Sequence, residues 1–120
     1  MSVKHSHEVP SESLPVGEGI SKAVLISKQE APNFAMRKFT IRAGGSMPLH
    51  TNQVEHEQYV LKGKALIVID GISHEVQSGD VVFIPANLPH SYLPLGEEDF
   101  EFLCLVPNQP DQTILVEEPE

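Results

Sequence analysis

Apolar and polar residues alternate along this chain in short runs that are separated by turn-forming residues. Ten prolines and eight glycines interrupt the chain, and no long window keeps the apolar period of about 3.6 residues that a helix requires. The predicted strands are Ile20–Ser27, Phe34–Arg42, Glu57–Leu61, Lys64–Ile69, Ile72–Val76, Val81–Ile84, Phe100–Val106 and Thr113–Val116. Strands this short and evenly spaced predict an all-β sandwich or barrel.

One hairpin follows from the dipeptide Asp70-Gly71, which lies between Ile69 and Ile72. Asp-Gly between apolar runs is a strong signal for a two-residue type I′ turn. Pairing outward from this turn places Ile69 opposite Ile72 and His74 opposite Ile67. A lone histidine on such an apolar face is more often a packed or interface residue than a ligand, so His74 is left out of the candidate site.

The length of 120 residues predicts one domain. We expect a flexible N-terminal arm over residues 1–18 and a single barrel domain over residues 19–120. No apolar run approaches the roughly 20 residues that cross a bilayer, and residues 1–15 lack the pattern of a secretory signal. The predicted location is therefore the cytoplasm.

The net charge of −9 has the wrong sign for a phosphate backbone or an anionic membrane, so neither nucleic acid nor membrane is a predicted partner. Acidic residues cluster in the loop 97–99 and near the C-terminus at Glu117, Glu118 and Glu120. The one cysteine, Cys104, excludes a disulfide framework. The local sequence offers no cation that would activate its thiol, and we interpret Cys104 as a small core residue.

Three of the six histidines are candidate metal ligands: His50, His56 and His90. The other three are His74 and two residues of the N-terminal arm, His5 and His7. Neutral imidazole binds Mn, Fe, Co, Ni, Cu and Zn, so a histidine cluster indicates a class of metal without choosing one member.

The segment GGSMPLHTNQVEHEQYVLKG, from Gly44 to Gly63, resembles the first cupin motif. Gly44, His50 and Gly63 match that motif in identity and spacing. The position seven residues before Gly63 is acidic in germin-like cupins and holds His56 here. The second histidine position of the motif holds Asn52, which is a departure from the family pattern.

The segment GDVVFIPANLPH, from Gly79 to His90, is similar to the second cupin motif. Asn87 replaces a glycine there, and asparagine enters the left-handed backbone region more readily than most residues. With both motifs in register, the chain is identified as a member of the cupin superfamily over about residues 20–108. The resemblance implies a jelly-roll fold, a small antiparallel β-barrel.

Within that superfamily the chain is most similar to small single-domain bacterial cupins with a four-histidine site, commonly occupied by manganese. The resemblance implies one divalent transition metal ion (Mn, Fe, Ni or Zn) on His50, His56 and His90. Asn52 or Gln58 is expected to complete the ligand set. Gln58 is favoured, because it shares the inward-facing parity of His56 and is one methylene longer than Asn52.

The predicted substrate contacts are Arg37, Tyr92 and Phe102. Arg37 shares a strand face with Phe39 and Ile41, so it is expected to point into the barrel. The simpler interpretation is an arginine at the barrel rim that pairs with a carboxylate. The alternative is a guanidinium that binds an anionic substrate, because its planar fork matches a carboxylate.

The predicted function is that of a metal-dependent enzyme that carries out a dioxygenase-type oxidation of a small organic molecule. One alternative is a non-redox isomerase, cyclase or decarboxylase that uses the metal as a Lewis acid. Another is a non-catalytic cupin that binds a small ligand, because fold alone does not determine function. A homodimer that pairs through edge strands is also expected.

Overall fold

The alternating pattern of the sequence becomes ten antiparallel strands in the computed structural model, which describes residues 1–117. A short 3-10 helix, Ser6–Glu8, precedes them. The strands are β1 (Glu12–Ser13), β2 (Glu18–Ile26), β3 (Phe34–Thr51), β4 (His56–Lys62), β5 (Lys64–Ile69), β6 (Ile72–Gln77), β7 (Val81–Ile84), β8 (His90–Leu95), β9 (Phe100–Pro107) and β10 (Ile114–Leu115). The predicted all-β fold is confirmed.

The long strand β3 belongs to both walls of a curled sheet. Its first half pairs with β2 and β9, and its second half pairs with β8 and β10. The strand order β6-β5-β8-β3-β9-β4-β7 therefore runs from one wall into the other through β3. This connection brings the two cupin motifs to one interior, because the first motif lies on β3 and β4 and the second ends on β8.

The predicted hairpin is confirmed in register and turn type. Ile69 pairs with Ile72, and Ile67 pairs with His74. The two turn residues, Asp70-Gly71, have φ angles of 49° and 79°, as a type I′ turn requires. His74 itself is exposed, so it does not pack against the isoleucines, and its alternative role as an interface residue stays a prediction. The side chains of β6 lie mostly in solvent because β6 is an outer strand of the sheet.

Side-chain parity sorts β4 as predicted. His56, Gln58 and Val60 are buried, while the alternating residues Glu57 and Tyr59 are exposed. The apolar core continues this inner face from the neighbouring strands. Its largest fully buried apolar side chains are Phe100, Ile41, Ile67, Ile84 and Val60. The core therefore fills one end of the barrel and leaves the histidines at the other edge of the apolar cluster.

Two strands were not predicted, β1 and β8. The strand β8 contains Pro94, which reads as a strand breaker in the sequence. In the structure β3 pairs with β8 only as far as Tyr92, so Pro94 lies where β8 has a single pairing neighbour, β5. The strand β3 also extends nine residues beyond the predicted end at Arg42, to Thr51.

The segment before β2 contacts the barrel. The strand β1 pairs with β2, and the side chains of Leu14 and Val16 pack against the core. The predicted boundary at residue 19 and the mobility of residues 1–18 stay predictions. The acidic tail residues Glu118 and Glu120 lie outside the described residues.

No helix within residues 1–117 is long and apolar enough to span a membrane. The strands β6 and β7 end the main strand order of the sheet, and the outward side chains of β7, Val81 and Phe83, are exposed. Open strand edges can pair with another chain. The homodimer stays a prediction.

Candidate metal centre

The three candidate histidines lie on three strands that face one interior. His50 on β3 is paired directly with His90 on β8, and their ring centroids are 4.1 Å apart. His56 opens β4, and its ring centroid lies 6.0 Å from that of His90. All three side chains are buried. Residues that are 40 positions apart in the sequence are thus brought together by the antiparallel pairing of β3 with β8.

Backbone carbonyls orient two of the imidazoles. The Nδ1 of His50 lies 2.9 Å from the carbonyl oxygen of Pro48, and the Nδ1 of His90 lies 2.9 Å from that of Leu88. A carbonyl only accepts, so Nδ1 must carry the proton and Nε2 keeps its lone pair. A metal-binding histidine needs this tautomer, with its other nitrogen held by an outer partner.

Two imidazole nitrogens and one amide oxygen are left without a partner in this interior. These three buried atoms make no hydrogen bond: Nε2 of His56, Nε2 of His90 and Oδ1 of Asn52. A buried polar atom without a partner costs roughly 1–3 kcal/mol. These three atoms are also the donor types that a divalent transition metal accepts.

Burial keeps the histidines neutral. Desolvation, together with the charge of Arg37 and the neighbouring His90, lowers the pKa of His56 to about 3. Desolvation together with the neighbouring His50 lowers the pKa of His90 to about 4. Desolvation also lowers the pKa of His50. Neutral imidazole is the form that binds a metal, so the site is ready for an ion at pH 7 without first releasing protons.

These low pKa values predict that acid destabilises the metal-free protein. The folded pKa values lie below the ordinary value of about 6.5, so the unfolded chain binds protons that the folded chain excludes. The stabilisation is present above pH 6.5 and is lost as the pH falls toward 4. With about 1.4 kcal/mol per pKa unit, we expect a loss on the order of 3 kcal/mol between pH 7 and pH 5.

Urea unfolding in EDTA at several pH values measures this loss. The variant His56→Gln/His90→Gln should have a shallower dependence of the unfolding free energy on pH over this range. The exposed His74→Gln should keep the slope of the wild type. An equal slope in the double variant and the wild type would show that these histidines do not cause the loss of stability in acid.

The two candidate amides have different partners. Asn52 donates from Nδ2 to Asp111 at 3.2 Å and to Thr113 at 3.0 Å, which leaves its Oδ1 unpartnered. Gln58 donates from Nε2 to the hydroxyl of Tyr92 at 2.7 Å. Both amides are therefore held through their nitrogen atoms by residues of the cavity wall, and only the oxygen of Asn52 is left buried without a partner.

The residues present fit a metal ion through three unpartnered atoms, which are Nε2 of His56, Nε2 of His90 and Oδ1 of Asn52. They do not form a preformed cluster of ligands. Within residues 1–117, no group of three or more His, Cys, Asp and Glu side chains is arranged to hold an ion. Imidazole nitrogens with one amide oxygen suit Mn, Fe, Ni or Zn, and they do not select among them.

A cavity of about 240 Å³ opens beside the histidines. Aromatic rings form one wall: Tyr92 stacks on Phe102 with centroids 5.3 Å apart, and Phe39 stacks on the other side of Phe102 at 5.4 Å. The three predicted substrate contacts, Arg37, Tyr92 and Phe102, all line this cavity. Their role as substrate contacts stays a prediction.

Arg37 corrects one interpretation of the sequence. The ion pairs within residues 1–117 are Lys4–Glu30 and Lys38–Glu101, so Arg37 has no carboxylate partner there. Its Nη2 instead lies 3.2 Å from the sulfur of Cys104, and its Cζ lies 5.0 Å from the centre of the Phe39 ring. The interpretation of Arg37 as a rim arginine paired with a carboxylate is wrong.

Cys104 is buried, as predicted, but it belongs to the cavity wall. Arg37 and Gln58 are its direct partners across β3 and β4. Its sulfur lies 3.5 Å from Nδ1 of His56. Neighbouring strands thus supply the cation that the local sequence lacks. Burial raises the pKa of the thiol in spite of Arg37, so it stays protonated at neutral pH.

Several residues of the cavity were not predicted, and they come from both ends of the chain. Leu14 and Val16 close the cavity from the N-terminal side, and Asp111 and Thr113 line it from the C-terminal side. Asp111 also accepts from the backbone N–H of Gln53 at 2.7 Å, which ties the C-terminal segment to the first motif. Residues 12–16 carry no periodic pattern, and the strand predicted over Thr113–Val116 gave no signal that this segment would lie at the cavity.

The fold and this site define a cupin, and comparison with known families agrees. Residues 37–106 match the cupin domain family, which is more than half of the chain, so the chain belongs to that family.

The relatives of the chain differ in their activities. The chain is 33% identical to quercetin 2,3-dioxygenase of Bacillus subtilis, and the aligned part covers 72% of this chain. It is 30% identical to the oxalate-binding protein of Thermotoga maritima, with 88% of this chain and 93% of that protein covered. The structure of the polyketide cyclase RemF from Streptomyces resistomycificus has a TM-score of 0.86 and 27% identity, with 98% of this chain and 88% of that one covered.

Coverage of the relatives is uneven. The chain spans about half the length or less of two of the curated relatives that it matches, including 30% of the length of the dioxygenase. The similarity therefore shows a shared cupin domain.

Proposed function

We propose that this chain is a metal-dependent cupin enzyme that acts on a small, ring-containing organic molecule. The observation that carries the proposal is an apolar cavity with stacked aromatic walls that is lined by the unpartnered Nε2 of His56 and the unpartnered Oδ1 of Asn52, with His90 packed behind His50. Unpartnered buried polar atoms are rare in proteins, and where they occur together they point to a missing ligand or ion.

The metal ligands in this proposal are His50, His56, His90 and Asn52. The Oδ1 of Asn52 favours Asn52 over Gln58, because this oxygen is buried without a partner whereas no side-chain atom of Gln58 is both buried and unpartnered. A bound divalent ion would supply a Lewis acid and, for Mn or Fe, a redox-active centre. The identity of the ion, Mn, Fe, Ni or Zn, follows from none of these contacts.

The cavity wall supports a planar, apolar substrate. Phe102 is stacked between Phe39 and Tyr92, and stacked rings present flat faces to a ring system. Leu14, Val16 and Ile20 add aliphatic surface to the same wall. Apolar side chains exclude water, which strengthens polar contacts between the substrate and the few polar groups of the site.

Tyr92 donates a hydrogen bond to the substrate in this proposal. Its oxygen accepts from Nε2 of Gln58 at 2.7 Å, so its own hydrogen is free to point to a substrate. Burial raises the pKa of Tyr92 well above its usual range, so it remains a neutral phenol at pH 7. Gln58 then orients the hydroxyl and fixes where the proton is held.

The first candidate reaction is a dioxygenase-type oxidation. The similarity to the quercetin dioxygenase supports it, because 72% of this chain aligns with that protein at 33% identity. The second candidate is a metal-assisted cyclisation without oxygen, which the similarity to the polyketide cyclase over nearly the whole chain supports. A third, ligand binding without turnover, is supported by the similarity to the oxalate-binding protein.

Oxygen consumption with a ring-containing probe tests the proposal. The wild type is loaded in turn with Mn²⁺, Fe²⁺, Ni²⁺ or Zn²⁺, mixed with the flavonol quercetin, and followed with an oxygen electrode and by absorbance. Metal-dependent oxygen uptake that matches the loss of quercetin supports oxidation. A metal-dependent spectral change of quercetin without oxygen uptake supports the second candidate, and saturable binding without change supports the third.

The variant His90→Ala is the matched control, and any of these metal-dependent signals should be lost in it. Failure of the wild type to bind any of the four ions contradicts the proposal as a whole.

A further inference from the structure

Arg37 is a cation without a matching anion in the cavity wall. Its Nε is buried and makes no hydrogen bond. Its Nη2 contacts only the sulfur of Cys104, which is a weak acceptor. The stacking of its guanidinium against Phe39 holds the group in place without neutralising it.

A second cation, Lys22, lines the same cavity and has no ion-pair partner within residues 1–117. Lys22 and Arg37 also line a groove on the outer side of the barrel, so the two cations lie where the cavity and the groove meet. Across the part of the chain that the structure describes, Asp111 is the one acidic residue in either lining. Its oxygens already accept from Asn52, Gln53 and Gln112.

Half-burial sets this pair apart from most cations of the chain. Within residues 1–117 three Lys and Arg side chains are half-buried, and Lys38 is paired with Glu101 whereas Lys22 and Arg37 have no carboxylate partner. A half-buried charge without a partner destabilises a fold. Two such cations at one cavity therefore indicate a role for them other than stability.

We propose that the ligand of this cavity is a ring-containing organic acid whose carboxylate is bound by Arg37 and Lys22 at the junction of the cavity and the outer groove. The guanidinium fork of Arg37 matches two carboxylate oxygens, and Lys22 adds a second positive charge. The ring of the ligand lies in the cavity beside the aromatic wall that Phe39, Tyr92 and Phe102 form. This inference rests on the proposed function only in taking the cavity as the ligand site.

A matched pair of probes separates the charge from the ring. We expect 2-naphthoate to bind the wild type at least tenfold more tightly than the neutral 2-naphthamide, as measured by titration calorimetry. In Arg37→Gln the ratio of the two dissociation constants should fall to within twofold of one, while naphthamide binding stays unchanged. Lys22→Gln should reduce the ratio partly.

The variant Lys64→Gln is the charge-matched control, because Lys64 is exposed on β5, and the ratio should not change in it. Thermal unfolding gives a second measurement: Arg37→Gln should have a higher Tm than the wild type, since it removes an unpaired charge.

All titrations are made with EDTA and again with Zn²⁺, because a carboxylate can also bind a metal directly. A preference for naphthoate that survives in EDTA and disappears in Arg37→Gln supports the proposal. A preference that needs Zn²⁺, a ratio near one in the wild type, an unchanged ratio in Arg37→Gln, or no binding of either probe would overturn it. None of these results bears on oxygen uptake with quercetin, so the proposed function is tested separately.

Discussion

Replacing His90 with alanine is expected to weaken the binding of Mn²⁺ or Zn²⁺ at least a hundredfold, or about 2.7 kcal/mol. His90 is 1% exposed, and its Nε2 has no protein partner. The backbone carbonyl of Leu88 already holds its ring in the ligand tautomer. Alanine removes one of three imidazoles, and neighbouring side chains cannot reach the position that it leaves. His56→Ala should have a similar effect.

Elemental analysis and competition with a chelating dye measure this loss on protein without a histidine tag. The variant His74→Ala removes an exposed histidine and should keep the wild-type affinity. Circular dichroism should show the same β content in all variants, because the apolar core around Phe100 does not depend on the ion. Full occupancy in both His56→Ala and His90→Ala would place the metal elsewhere.

Replacing Asn52 with histidine is expected to tighten metal binding tenfold or more, or about 1.4 kcal/mol. Asn52 is buried, and its amide is held by Asp111 and Thr113 with the unpartnered Oδ1 on the other side. Imidazole is a stronger ligand than an amide oxygen for Zn²⁺ and for the later transition metals. A histidine here also restores the four-histidine pattern that the sequence otherwise resembles.

Alanine variants distinguish the two amides. Asn52→Ala should weaken binding more than Gln58→Ala, since the Oδ1 of Asn52 is the amide oxygen that is buried without a partner. Gln53→His serves as a control, because it adds a histidine at the exposed neighbouring position. The prediction is contradicted if Asn52→His leaves the affinity unchanged. A larger loss in Gln58→Ala would instead assign the fourth ligand to Gln58, as the sequence alone favoured.

Local patterns were sufficient for much of the fold. The Asp70-Gly71 turn determines the pairing of its two strands, because a two-residue turn allows only one register. The alternation in β4 determines that His56 and Gln58 share the inner face, because successive side chains of a strand point to opposite faces. The left-handed position of Asn87 was also predicted, and its φ is 67°.

Features that depend on a single proline or on the chain ends were harder to predict. The strand β8, on which His90 lies, was not predicted because Pro94 indicates a break in a strand. In the structure this proline is tolerated, since β8 has only one pairing neighbour there. Leu14, Val16 and Asp111 reach the cavity from segments without a strong period. Their positions depend on contacts with the folded barrel.

The sequence by itself determined the all-β class and the hairpin, because both follow from short local patterns of residues, and its resemblance to the two cupin motifs indicated the three histidines. Only the tertiary structure decided what surrounds those histidines. Arg37 and Cys104 are 67 positions apart, and their contact exists because β3 and β9 are paired in one particular register. The different partners of Asn52 and Gln58 have the same origin. Strand order and register depend on how the whole set of strands buries its apolar faces together, and no short window of sequence contains that information.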